Sequence, residues 1–168
     1  MATNPRIRLD KRDLRILQEL QADNSITYRT MADRVALSPS ACVSRVQQME
    51  KAGVICGYHA RIDINKVRPT LVMMAEISLS SHHPSDLQAF DNLLRSMPEI
   101  VEILRVNGPV DYIVRILLSD VHEWHDFAHR LIASDNKVEK MVTHIVMEET
   151  KPFYGYPAPA LDAMGLDE

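Results

Sequence analysis

Ser40, Ala41, Ser44, Arg45 and Gln48 fall at helical spacing on one side of a short predicted helix. Their types suit the edges of DNA bases. Short side chains let a helix backbone approach closely, Arg pairs bidentately with guanine, and Gln pairs with adenine. Arg29 on the preceding predicted helix, Ser38 at the turn and Arg61 downstream complete the candidate DNA-contacting set. An ordinary helical hairpin with a solvated face would show the same local pattern.

A second constellation points to different chemistry. His122, His125 and His129 stand at i, i+3 and i+7, so at about 100° per residue they fall within about 60° of one another on a helix. Such a face either holds a transition metal, which would make the chain a metal sensor, or forms a solvated helix edge. It is not the zinc-protease pattern, which needs three residues between the histidines. There is no nucleophile motif, no spaced Cys/His set and, with five glycines in all, no phosphate-cradling loop. No enzymatic activity and no cofactor are therefore expected.

The elements that must position the DNA-contacting residues are legible. Asp10 followed by Asp13 reads as a helix start, with Leu14, Ile16, Leu17 and Leu20 inward. Thr27 caps a second helix whose apolar face is Met31, Ala32 and Val35, and Leu37 plugs the turn. Ser38 caps the third helix, Pro39 occupies its first position, and Gly53 ends it. Val43, Val46 and Met49 are expected to form its buried stripe. Residues 54–63 read as two extended pieces around Gly57, the small β-wing of a winged helix. Residues 62–69 are the expected linker.

Charge divides the chain. Residues 1–68 carry 12 Lys+Arg against 7 Asp+Glu, whereas residues 69–168 carry 7 against 16. A basic module joined to an acidic one is what phosphate attraction calls for, since only the DNA-facing part must be positive. No apolar run approaches the roughly 20 residues of a membrane span, and no signal peptide is visible. Cys42 and Cys56 are the only cysteines, too few for a disulfide framework, so a cytoplasmic location is expected. Cys42 lies in the predicted DNA-contacting helix, either as a redox switch or as a small packing residue.

The second half alternates strand and helix. Strands are predicted at 71–79, 100–106, 112–118 and 138–149. One helix is expected over 84–97, with Leu87, Phe90, Leu93, Leu94 and Met97 inward; another presents Val121, Trp124, Phe127, Ala128, Leu131 and Ile132. The order βαββαβ predicts an α+β, ferredoxin-like sheet with both helices on one face. Its other face needs a cover, most simply a second copy. In the tail, residues 152–168, Phe153, Tyr154 and Tyr156 are available to pack on a partner, and disorder is expected beyond Pro159.

Over residues 9–151 the chain resembles the Lrp/AsnC (leucine-responsive, or feast/famine) family of transcriptional regulators. The carrying motifs are Leu9-Asp10, Asp13 and Ile16-Leu17, then Leu37-Ser38-Pro39-Ser40, Arg45-Val46, Glu50, Gly53-Val54-Ile55 and Gly57-Tyr58. Gly108, Asp111-Tyr112, Val146-Met147-Glu148-Glu149 and Lys151 follow. The resemblance implies a winged helix-turn-helix at 1–61 and a ferredoxin-like ligand-sensing domain at 70–151. It also implies homodimers formed through paired sheets, assembling into multiples such as octamers, and a small effector, typically an amino acid, bound between dimers. Carried onto this chain, the effector site comprises Asn107, Gly108, Asp111, Val121, Thr143, His144 and Ile145. A glycine turn exposes backbone groups to a carboxylate, and Asp111 offers a counter-charge to an α-ammonium. Asp111 reads equally as a strand-start residue tied to backbone. Pro109 and Val110 replace an acidic and an aromatic residue frequent in relatives, and His144 replaces a frequent aromatic.

Overall fold

The computed structural model describes residues 8–133 and 136–157, which divide into two compact units. Residues 8–61 and 151–157 belong to the first, and residues 62–150 with their described portions form the second.

Three helices build the first unit: α1 (Lys11–Ala22), α2 (Tyr28–Val35) and α3 (Pro39–Lys51). Asp10 caps α1 by accepting from the backbone N–H groups of Arg12 and Asp13, at 2.8 and 2.9 Å. Asp13 reaches back to accept from the Asp10 N–H at 2.9 Å, closing a capping box. Thr27 caps α2 through the Thr30 N–H, and Ser38 caps α3 through the Ala41 N–H. Ala36, at φ 54° and ψ 52°, makes the turn between α2 and α3 in the left-handed region. Gly53, at φ +72°, ends α3; its N–H donates to Glu50 and that of Val54 to Met49, both at 2.9 Å. Ile16, Met31, Ala32, Val35, Cys42, Val46 and Met49 fill the core between the helices.

Two expectations are corrected here. The stripe of α3 buries Cys42, whereas Val43 is only half-buried. Residues 54–63 contain no assigned strand, so the two extended pieces do not pair as a β-wing in this structure. Gly57 does not adopt the positive φ that a tight two-residue hairpin turn requires. The segment is instead held by Tyr58, whose hydroxyl donates to Glu50 Oε1 at 2.8 Å. Burial and that carboxylate raise the Tyr58 phenol to about 12.

The tail aromatics, expected against a partner, meet α1 and Arg61 of their own unit. Gln21 holds both backbone groups of Tyr156, donating to its carbonyl at 3.2 Å and accepting from its N–H at 2.6 Å. Arg61 donates to the Tyr154 hydroxyl at 2.6 Å, with its guanidinium 4.4 Å from that ring's centre. The disorder expected beyond Pro159 concerns residues outside those described.

In the second unit, β1 (Leu71–Leu79), β2 (Ile100–Arg105), β3 (Tyr112–Leu118) and β4 (Val138–Ile145) form one antiparallel sheet in the order β2-β3-β1-β4. Helices α4 (Pro84–Ser96) and α5 (Val121–Leu131) cover one face. There Met73, Ala75, Ile77 and Leu79 meet Phe90, Leu94, Phe127 and Leu131. Burial alternates strictly along β3 because successive side chains point to opposite faces of the sheet, although only Arg115 interrupts its apolar run. Val121 and Ile132, expected inward, lie 60% and 50% exposed, because they flank the buried Phe127–Leu131 stripe at the helix ends. The last strand stops at Ile145 rather than continuing to residue 149, although the Val146 N–H still donates to Val72.

Cross-strand register places Val72, Met74 and Glu76 beside Leu117, Arg115 and Ile113 on the face away from the helices. Leu104 and Glu102 of β2 and Val142 and His144 of β4 extend this face. Among its charges, Arg115 lies 3.4 Å from Glu102 and 3.5 Å from Glu149, and His144 lies 3.7 Å from Glu76. Lys140 of β4 lies on the same face, opposite Ser78.

Two predictions concern the first unit. Gly155 stands at φ +113°, and a Cβ there would sit 2.3 Å from Gln21 Oε1. Gly155→Ala should therefore detach the tail, seen as faster hydrogen exchange at Tyr156 with α3 unchanged; retained protection would show that the Gln21 contact does not hold it. Burial pushes the Asp10 carboxyl up, but hydrogen bonds from the Asp13 N–H, Arg45 and the Arg12 N–H outweigh this and hold it below its ordinary value. A lowered folded value stabilises above the unfolded value of about 3.9 and is lost as pH falls through the folded one. Asp10→Asn keeps the cap and loses the charge, so it should weaken α1 protection at pH 6 and converge with the parent near pH 2. Equal protection of the two proteins at pH 6 would contradict this.

Candidate nucleic-acid interface and effector region

Burial of Cys42, Val46 and Met49 fixes which side of α3 faces out. Compared with a stripe centred on Val43, Val46 and Met49, the buried direction turns by about 33° at 100° per residue. The outward face becomes Ser40, Ser44, Gln47, Gln48 and Lys51, all exposed. Gln47 and Lys51 were missed by the sequence reading; the signal that would have found them is Cys42, which packs as a small apolar residue. Its thiol is raised by burial and fully enclosed, so it is a packing residue and not a redox switch. Ala41 sits half-buried at the flank of this face. Ser38 is spent partly on its cap and also meets the Ser40 hydroxyl at 3.1 Å. Arg29 is exposed on α2, and Arg61 is exposed but held by Tyr154.

Arg45 lies on the same flank as Ala41, turned toward α1. One terminal nitrogen donates to Asp10 Oδ2 at 2.7 Å and to Asp13 Oδ1 at 2.8 Å. Hydrogen bonds to Asp13 and then to Asp10 raise the guanidinium further above its already high value. In this arrangement the Arg45 charge is engaged by two carboxylates of its own unit.

The effector residues divide into two groups. Asn107, Gly108 and Asp111 lie at the β2–β3 turn, where the Asp111 N–H donates to Ile77. Val121 begins α5 just beyond β3, whose Leu118 pairs with Leu71. Ile77 and Leu71 are six residues apart on β1, roughly 20 Å at strand spacing. Thr143, His144 and Ile145 pair with Ala75, Met74 and Met73 on the opposite edge strand. One chain thus does not gather the seven residues into a single pocket. Asp111 accepts from the Leu79 N–H at 2.8 Å with Oδ2 and lies 2.7 Å from His82 Nε2 with Oδ1. The backbone-tied reading of Asp111 is the one realised, and His82 is its side-chain partner. Gly108 stands at φ +153° with open space where a Cβ would be, so the turn's backbone is accessible.

Among the described residues, no three His, Cys, Asp or Glu side chains, those of the histidine face included, gather around a common point. His125 and His129 lie side by side, ring centres 6.1 Å apart, at the solvated edge of α5. No described helix is long and apolar enough to cross a membrane.

Comparison with known proteins agrees with both units. Residues 9–55 match the winged helix-turn-helix DNA-binding family, and residues 72–156 match the Lrp/AsnC ligand-binding domain. The transcriptional regulatory protein DoeX of Halomonas elongata is 33% identical over 86% of this chain and 92% of its own length. The leucine-responsive regulatory protein of Haemophilus influenzae is 32% identical over 85% and 86%. Among solved structures, an AsnC family transcriptional regulator from Agrobacterium tumefaciens superposes with TM-score 0.84 at 32% identity, covering 93% of this chain and 99% of that one. A transcriptional regulator from Neisseria meningitidis, solved as its complex with L-Met, gives TM-score 0.83 at 29% identity, covering 91% and 99%. With its DNA-binding and ligand-binding units both matched in order, the chain belongs to the Lrp/AsnC family of transcriptional regulators.

Proposed function

We propose that the protein is a cytoplasmic homo-oligomeric regulator that reads DNA through α3 and answers to an amino acid bound between copies. The observation that carries the DNA reading is the outward face of α3. Ser40, Ser44, Gln47 and Gln48 are exposed and short or amide-bearing, Lys51 follows at the helix end, and the surrounding half of the chain is net positive. Such a face approaches base edges in the major groove, while Lys51, Arg29 and Arg61 meet phosphates. Two copies present two such helices to half-sites of a pseudo-palindrome. No catalytic step and no cofactor are required.

The open sheet face supplies the dimer contact, through Val72, Met74, Leu104, Ile113, Leu117 and Val142. The L-Met complex of the Neisseria regulator supports an amino-acid effector. Its site here is assembled from two half-sites, the Asn107–Gly108 turn and the Thr143–Ile145 end of β4 with Val121, contributed by different copies in a multiple such as an octamer. With Asp111 engaged by Leu79 and His82, the turn offers the ligand backbone groups more readily than that carboxylate. Ligand binding at such a seam shifts assembly and DNA affinity by a coupling of about 1–3 kcal/mol.

Three outcomes are expected. Lys51→Ala should weaken binding to all duplexes alike and reduce the salt slope by about 1, whereas Gln48→Ala should relax discrimination at one base pair by about 1–3 kcal/mol. Unchanged affinity in both would remove α3 from the interface. Met74→Asp places a carboxylate between Arg115 and His144, tolerable in a single chain but costly under a covered face; sedimentation should show monomers, and an unaltered assembly would exclude this face. Titrating the DNA complex with the twenty amino acids should shift affinity for one or a few of them; no shift with any would overturn the effector reading.

A further inference from the structure

The two carboxylates of the α1 capping box have four oxygens. Asp10 Oδ1 accepts the Arg12 and Asp13 N–H groups and Asp13 Oδ2 accepts the Asp10 N–H. That leaves one oxygen on each, and both point at a single nitrogen of Arg45, at 2.7 and 2.8 Å. The seat is partly enclosed: the Asp13 side chain is 12% exposed and that of Arg45 is 29%. Asp13 is the one buried charged or polar residue among the described residues. A guanidinium held by two carboxylates from a fixed cap has little freedom to swing, because each carboxylate is itself pinned by backbone donors.

We infer that Arg45 is a positioning residue, locking the DNA-reading helix α3 to the N-terminus of α1 so that Ser44 and Gln48 meet base edges at one fixed angle. Arg45 stands one residue from Ser44 and three from Gln48, and these two also line the hollow beside the carboxylates. Rotating α3 about its apolar stripe would move both contacts together. The Arg45 charge also offsets one of the two carboxylate charges beside the reading face. It rests on α3 being the reading helix, and its test separates the two claims.

Asp13→Asn keeps an oxygen for the Asp10 N–H, so the capping box survives, but it replaces one carboxylate of the Arg45 seat. If Arg45 read a base, freeing it while removing a negative charge near DNA would leave specific affinity unchanged or raise it. The lock requires the opposite. Binding of the full chain is measured to a duplex selected by the parent protein from random-sequence DNA, and to unselected duplex. For Asp13→Asn and Arg45→Ala alike, the ratio of the two affinities should fall on the order of tenfold, and the double variant should fall no further. The loss should spread over every base pair that α3 reads. Hydrogen exchange of α1 and α3 restricts the comparison to folded protein, and Asp13→Asn reports by itself if Arg45→Ala does not fold. An unchanged or increased ratio in Asp13→Asn overturns the lock. So does a loss confined to one base pair in Arg45→Ala. Gln48→Ala is the control: if it too leaves the ratio unchanged, the reading helix is misassigned as well.

Discussion

The rotational phase of α3 is the constraint on which the DNA-binding unit depends. Three side chains set it: Cys42, Val46 and Met49, each essentially inaccessible to solvent. Burying them against Ile16, Met31 and Val35 removes apolar area from water at roughly 25 cal/mol per Å2. No alternative rotation recovers that gain without exposing one of them. Once the stripe is down, Ser44 and Lys51 must face out, and the flanks fall to Arg45 on one side and to Glu50, tied to Tyr58, on the other. The caps then limit the helix: Ser38 and Pro39 at its start, and the left-handed Gly53 at its end.

The second unit follows a different rule. Its sheet is buried on one face by two helices, and the pattern of alternate burial along β1 and β3 assigns each side chain to one face or the other. The uncovered face keeps apolar residues in its centre, with Arg115 beside Glu102 and His144 beside Glu76. Charge is divided between the halves, and the net-positive half is the one that carries the helix-turn-helix.

Much of this was legible in the sequence, for physical reasons that can be named. Caps at Asp10, Thr27 and Ser38 are local, so their residue types suffice. The strands at Leu71–Leu79 and Tyr112–Leu118 are legible as short apolar and β-branched runs, the second bounded by the turn at Asn107-Gly108-Pro109. Less was legible where a choice depends on tertiary partners. Val43 and Cys42 are both small enough to pack, and only the neighbouring helices decide between them. Arg45 carries the right chemistry for guanine, yet the two carboxylates that claim it lie 32 and 35 residues earlier in the chain. Residues 54–63 run without paired strands because a lone hairpin needs more than extended propensity, while the winged helix-turn-helix assignment stands. The effector residues separated because register, which no local pattern encodes, sends the two groups to different ends of the sheet.

The most direct measurement uses the exposed and enclosed cysteines. In a Cys56→Ser background, Ser44→Cys creates one accessible thiol, because Cys42 is enclosed and does not compete for reagent. A DNA-cleaving chelate attached there should cut a bound, selected duplex at two discrete clusters centred in the half-sites, on the major-groove side. The same chelate attached through His125→Cys, exposed on α5 of the second unit, should produce no such focused cuts. Diffuse cleavage or none from position 44, with the complex intact, would contradict the claim that α3 reads DNA.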